Sequence, residues 1–215
     1  MLITRPNLGA EALDAFLALV RRSPGRITFA SWGIGSTSHL AMEALIKQAR
    51  LEMLHVPLTG AAPASMALVA GRVDVMFLST GPAEAAARDG RAKIIAVGAP
   101  SRIPLLPNTP TLAELGTPIE AANRFGLLGP AGTPATLAER IAEVAAEGPR
   151  PPQVLEVFRV QASLPVAGTP GEMRDFVAAD RERWAAVVGD LNIRLEYSRH
   201  GRHAGGPLRG VARRG

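Results

Sequence analysis

Between residues 26 and 97 the chain alternates strand-like and helix-like runs three times in succession, and this constrains its fold more than any other feature. Residues 26–30 alternate polar and apolar side chains, and residues 40–49 repeat apolar groups at helical spacing. A strand at 51–56, a loop at 57–63 and a helix at 64–70 follow, and Gly71 stops that helix. A strand at 73–77, a helix ended by Gly90 and a strand at 92–97 complete the series. Strands separated by helices pair in parallel, with the helices on the sheet faces and ligand loops at the carboxyl ends of the strands. The class is therefore α/β. A further helix at 11–20, with Leu13, Phe16, Leu17 and Val20 on one face, precedes the series and ends at Ser23-Pro-Gly25.

The first loop of the series, Ser31-Trp-Gly-Ile-Gly-Ser-Thr-Ser-His39, has the makings of an anion cradle. Gly33 and Gly35 let the backbone turn sharply, and Ser36 is a good N-cap that leaves the first helical N–H groups facing outward. Those donors and the positive end of the helix dipole suit a carboxylate or a phosphate. The third glycine of a dinucleotide fingerprint would fall at Ser38, and no Gly-Lys-Ser/Thr follows, so both nucleotide readings weaken. An ordinary capped helix after a tight turn is the alternative.

Composition excludes several classes. The 215 residues fit one large domain or two small lobes, and cysteine is absent, which removes disulfides and thiolate metal sites. With 47% hydrophobic but only 4% aromatic residues, packing rests on Ala, Leu and Val, and no apolar run is long enough to span a bilayer. The net charge of +5 is local: Arg199, Arg202, Arg209, Arg213 and Arg214 lie in a tail without acidic residues, and residues 1–197 carry 19 charges of each sign. The tail, 198–215, reads as a basic disordered extension, and no basic stripe interleaved with aromatics marks a nucleic-acid face. The first six residues lack the features of a secretory signal.

After Gly98 the texture changes. Prolines at 100, 104, 107 and 110 imply mostly loop, with a short helix at 111–115 and a strand at 123–128. Thr133 as N-cap with Pro134 at the first helical position starts a helix at 135–147, and another spans 152–161. Thr169 and Glu172 have capping-box spacing, and Met173, Val177, Trp184 and Val188 form a helical stripe in which Trp184 reads as core.

Catalytic constellations are missing: no Gly-x-Ser-x-Gly elbow, no His-Glu-x-x-His and no metal-ligand spacing. Of four histidines, His200 and His203 lie in the tail, and His39 and His55 are the interior candidates. His39 reads as structural, with a general-base role as the alternative. Asp74, in an apolar strand, reads as a group that holds a loop by hydrogen bonds.

Five segments occur in an order that resembles one family: Gly33-Ile-Gly-Ser-x-x-His39; His55-Val-Pro57 with Gly60-Ala-Ala-Pro63; Gly71-Arg-Val-Asp74-Val-Met-Phe77; Pro107-Asn-Thr-Pro-Thr111 with Gly116; and Phe125-Gly-Leu-Leu-Gly-Pro-Ala-Gly-Thr-Pro134. The chain is similar here to the Bug receptors, the substrate-binding proteins of tripartite tricarboxylate transporters. The resemblance covers about residues 1–197 and implies a type II periplasmic-binding-protein-like fold. Lobe two, with its parallel sheet, would be complete over 1–123. Residues 124–197 would be the mainly helical C-terminal portion of an incomplete lobe one.

By the same resemblance, the chain captures a small carboxylate without catalysis, cofactor or metal. Ser31, Gly33, Gly35, Ser36, Thr37 and His39 would form one jaw, with donors from the Gly35, Ser36 and Thr37 N–H groups and the Ser36 and Thr37 hydroxyls. Gly60 and Ala61 would line the cleft, and Ser79 and Thr80 would bond the distal end of the ligand. Transporter membrane subunits are the implied partners if the protein is exported, with no nucleic acid and no membrane insertion. The implied location is the periplasm, or the cytoplasm if the Met1 start is real.

There are three departures from the family pattern. Leu58-Thr59-Gly60 stands where Tyr-Lys-Gly is common, and Phe125 stands where Trp is usual. The export signal and the Pro-Gly-Gly loop of the other jaw have no counterpart, which implies a truncated or vestigial copy. The alternatives are a small α/β enzyme using His39 or Asp74 on a carboxylate or phosphate, and a fragment that binds nothing.

Overall fold

A computed structural model describes residues 1–148, 151–161, 163 and 165–191. The strands are β1 (Leu2–Thr4), β2 (Thr28–Ser31), β3 (Leu54–Pro57), β4 (Val75–Phe77) and β5 (Lys93–Ala96). The helices are α1 (Leu13–Arg22), α2 (Thr37–Ala49), α3 (Ala61–Val69), α4 (Thr80–Arg88), α5 (Ala135–Glu147), α6 (Pro152–Val160) and α7 (Pro170–Leu191). One sheet has the order β3-β2-β4-β1-β5. The alternating segments supply its parallel strands: β2 pairs parallel with both β3 and β4. The short β1 inserts antiparallel between β4 and β5, setting Ile3 opposite both Met76 and Ile94.

Side-chain alternation along the central strands builds two cores. Leu2, Phe29, Val75 and Phe77 join Leu13, Phe16 and Val20 of α1 and Met42 and Leu45 of α2 on one face. Ile3, Ala30 and Met76 join Ala64 and Leu68 of α3 and Ala83 and Ala86 of α4 on the other. Strands buried on both faces read as continuous apolar runs, which is why 73–77 was legible as a strand. Helix α2 begins at Thr37, before its apolar stripe, because the Ser36 side chain accepts from the His39 N–H and so draws polar Thr37 and Ser38 into the first turn. Its end consumes the start of the expected 51–56 strand: Arg50 turns left-handed at φ 52° and the Leu51 N–H donates to the Ile46 carbonyl.

Asp74 ties the amino-terminal edge of the sheet together. Its carboxylate accepts from Arg5 Nε at 2.7 Å, from the Thr28 N–H at 2.8 Å and from Thr28 Oγ1 at 2.9 Å. Burial raises its pKa, but the bonds from Thr28 and Arg5 outweigh this and hold it below the usual carboxylate value.

Beyond β5 the chain packs through a few anchors. Val97 bridges Thr111, and Leu112 and Ile119 enter the first core. The expected helix at 111–115 is a single turn, in which Thr111 Oγ1 accepts from the Glu114 N–H while Glu114 Oε2 accepts from the Thr111 N–H. The expected strand at 123–128 does not form: a strand needs a partner, and among the described residues none pairs with this segment. Phe125, Leu127 and Leu128 are 93%, 75% and 83% exposed. At α5, Pro134 takes the cap position and the Thr133 hydroxyl donates to the Pro130 carbonyl instead. The capping box at α7 is reciprocal, with the Thr169 N–H donating to Glu172 Oε2 and the Glu172 N–H donating to Thr169 Oγ1.

Helix α7 lies against α2 and α5. The Arg124 guanidinium sits 4.1 Å from the Phe176 ring centre, and half-buried Trp184 is covered by Arg183 at 5.0 Å. No residue of α5 or α6 is buried among those described. The basic tail and its histidines lie outside the described residues.

Candidate functional site

Parallel strands β2, β3 and β4 deliver three loops to one sheet edge, and a helix begins immediately after each. Ser31 closes β2 opposite Pro57 of β3, and the Leu58 N–H donates to the Ser31 carbonyl at 3.1 Å. Ser36, Gly60 and Ser79 occupy the cap positions of α2, α3 and α4. Helix α2 leaves toward the first core and α3 and α4 toward the second. Neighbouring loops that diverge to opposite faces mark a topological switch point at the carboxyl ends of the strands, the place where open α/β sheets bind ligands.

Of the ten residues singled out from the sequence, Ser31 ends β2 and the other nine lie on these three loops and helix starts. Gly60 adopts φ 115°, which favours glycine, and exposed Ser79 makes no side-chain cap bond.

Within the β2–α2 loop, internal bonds redistribute the donors. The Gly35 N–H donates to His39 Nδ1 at 3.1 Å and the Ser36 N–H to the Gly33 carbonyl at 3.2 Å, so neither is open to a ligand as expected from the sequence. Ser36 Oγ donates to the same carbonyl at 2.7 Å. Ser38, which the sequence reading passed over, is 1% exposed, and its Oγ accepts from the Trp32 N–H at 3.0 Å. The backbone N–H groups of Thr37 and Ser38 have no acceptor among the described residues. They lie in the first turn of a 13-residue helix, where the macrodipole is positive.

Two imidazoles lie beneath this loop. His55 on β3 stacks with Phe29, with ring centres 4.6 Å apart, and with His39, at 4.1 Å, each at an interplanar angle of 10°. Its Nε2 is 2.7 Å from Ser31 Oγ. His39 is 5% exposed; its Nδ1 is the acceptor for Gly35, so its proton sits on Nε2, which faces Glu43 Oε1 at 3.5 Å. Burial, followed by the neighbouring His39, lowers the His55 pKa to about 4, against a smaller opposing pull from Glu43. The unfolded chain therefore takes up a proton near the ordinary histidine value that the folded chain refuses until about pH 4. Stability is expected to fall as pH drops from about 6.5 to 4, by on the order of 1–2 kcal/mol after allowance for solvent screening. Denaturant titrations across that range check this, and His55→Phe should flatten the slope.

Asp74 lies at the opposite end of the strands, beside Thr28 at the start of β2, whereas Ser31 ends the same strand. It therefore cannot share chemistry with His39. Among the described residues no group of three or more His, Asp or Glu could hold a metal ion.

Comparison with known proteins gives the relationship. The model of the tripartite tricarboxylate transporter family receptors matches residues 1–193. A protein from the tcbD–tcbE intergenic region of Pseudomonas sp. strain P51 is 34% identical over 183 residues, which is 84% of this chain and 54% of that one. Among solved structures, R. palustris Rpa4515 with adipate superimposes with a TM-score of 0.82 at 26% identity, covering 90% of this chain and 65% of that one. MatC of Rhodopseudomonas palustris, with bound malate, gives 0.77 at 27% identity, covering 87% and 65%. The chain thus spans between about half and two thirds of the length of these relatives. It belongs to the tripartite tricarboxylate transporter receptor family.

Proposed function

We propose that the chain is the solute-capturing part of a tripartite tricarboxylate-type transport system and binds a small carboxylate at the β2–α2 loop without chemical turnover. The observation that carries this is the pair of unaccepted N–H groups, Thr37 and Ser38, at the positive end of α2 on the sheet edge where three helices begin. A carboxylate with two oxygens matches two adjacent donors. The Thr37 hydroxyl adds a third donor, and the loops carrying Gly60, Ala61, Ser79 and Thr80 stand beside it for the rest of the ligand. Two solved relatives carry adipate and malate, both small dicarboxylates.

On this reading residues 1–123 form one lobe and residues 124–197 the returning part of a second. The functional setting is the periplasm with transporter membrane subunits as partners, and no described helix is long and apolar enough to cross a membrane.

The reading without turnover is supported by the Ser31–His55 pair, which has nucleophile–base spacing. Ser31 is fully buried, and its Oγ accepts from the Gly33 N–H at 3.2 Å. A base with a pKa near 4 removes a serine proton poorly at neutral pH. Among the described residues no carboxylate orients His55.

Thermal unfolding with malate, adipate, succinate and citrate tests the proposal. At least one should raise Tm progressively with concentration, since ligand at about 100 times Kd adds about 2.7 kcal/mol. No shift with any of them at about 10 mM, a level well above the Kd of a useful receptor, would refute it.

A further inference from the structure

We propose that His55 is a positioning residue for the binding loop: through Ser31 it fixes the backbone that aims the Thr37 and Ser38 donors. This rests on the carboxylate reading above. His55 belongs to β3, a different strand from the loop it holds, and its ring is restrained by stacking with both Phe29 and His39. Its Nε2 meets Ser31 Oγ at 2.7 Å. Ser31 Oγ in turn accepts from the Gly33 N–H at 3.2 Å and lies 3.2 Å from the Gly33 carbonyl. That carbonyl receives both the Ser36 N–H and the Ser36 hydroxyl. Ser36 caps α2 by accepting from the His39 N–H.

A continuous relay therefore runs from His55 through Ser31, Gly33 and Ser36 to the first turn of α2. His39 closes the relay from the other side: its ring stacks on His55, and its Nδ1 holds the Gly35 N–H. Gly33, at φ 125°, is a residue whose backbone would wander without such restraint. The relay gives a reason for histidine at position 55: the site needs a flat ring for the stack and a polar atom at the Nε2 position for Ser31.

The test compares His55→Phe, which keeps the stack and loses the hydrogen bond, with His55→Gln, whose amide reaches the Nε2 position. Ser31→Ala removes the other partner of the same bond and serves if His55→Phe does not fold. Amide hydrogen exchange of ligand-free protein and calorimetric titration with malate are the two readouts.

In His55→Phe or Ser31→Ala, exchange at Gly33 and Ser36 should rise about 5- to 10-fold, the loss of one hydrogen bond, while Met42 and Leu45 stay within about 2-fold. Malate affinity should fall by a similar factor, the double variant should be no worse than either single one, and His55→Gln should recover most of both losses. Unchanged loop exchange in His55→Phe and Ser31→Ala overturns the positioning role. So does acceleration spread evenly over α2, or a His55→Gln variant as impaired as His55→Phe. Wild-type protein that takes up no malate while binding another carboxylate moves the affinity arm to that ligand. Wild-type protein that binds no carboxylate overturns the functional reading, and the exchange arm still decides the role of His55.

Discussion

Asp74→Ala should destabilise the protein by about 2–3 kcal/mol while leaving carboxylate affinity within about 2-fold of wild type. The substitution strips the acceptor from the Thr28 N–H and from Arg5 Nε, and Thr28 Oγ1 loses its carboxylate partner as well. Arg5 and Asp74 side chains are 31% and 15% exposed, so water relieves part of the cost, and the figure stays below that of a fully buried pair. Asp74→Asn retains one acceptor oxygen but turns an amide N–H toward Arg5 or Thr28, and should lose roughly half as much. Urea denaturation with a constant m-value measures both. The unchanged affinity separates this structural carboxylate from an acid–base role, because Asp74 and the binding loop lie at opposite ends of β2 and β4.

Thr37→Pro should weaken carboxylate binding by about 10-fold or more with little loss of stability. Thr37 is the first residue of α2, where a helix tolerates proline, and Ser36 before it already sits at φ −69° and ψ 159°, the extended geometry that a following proline requires. The variant deletes one of the two unaccepted N–H groups and the Thr37 hydroxyl in a single step, and no bond within the fold depends on that N–H among the described residues. An equal change at Gly35, whose N–H serves His39, would damage the loop itself. A Thr37→Ser control keeps both donors and should bind like wild type.

Most of the sheet unit was legible because burial on two faces imposes recognisable patterns on short segments. The strands around Phe29 and Met76 and the helix around Met42 and Leu45 carry their cores in their periodicity. Strand β1 is three residues long, too short to carry a periodicity or a direction in its sequence, and its antiparallel insertion follows from pairing alone. The same limit explains the segment around Phe125: apolar composition marks a residue that could be buried, whereas a strand exists only with a partner.

The loops of the candidate site were legible in the sequence, and the hydrogen bonds that occupy their donors were not. Glycines and a capping serine mark the loop in sequence, and the three loops fall at one edge because β2, β3 and β4 run parallel. Which N–H groups remain open depends on competition from nearby acceptors. His39 reaching back four residues to Gly35 removes one, and the Gly33 carbonyl removes another. That histidine spacing was visible in sequence and could have been read as an internal acceptor. The contribution of His55, from another strand, depends on the register that sets it opposite Phe29.

A carboxylate gripped by the first turn of α2 would be held through the Thr37 and Ser38 amides. Backbone amide chemical shifts recorded during a titration with malate, or with whichever carboxylate gives the largest thermal shift, test it most directly. Saturable downfield movement of the Thr37 and Ser38 amide protons is expected, with Gly35 moving far less because its N–H is already bonded. Saturable shifts confined to other parts of the molecule, with Thr37 and Ser38 unmoved, would contradict it.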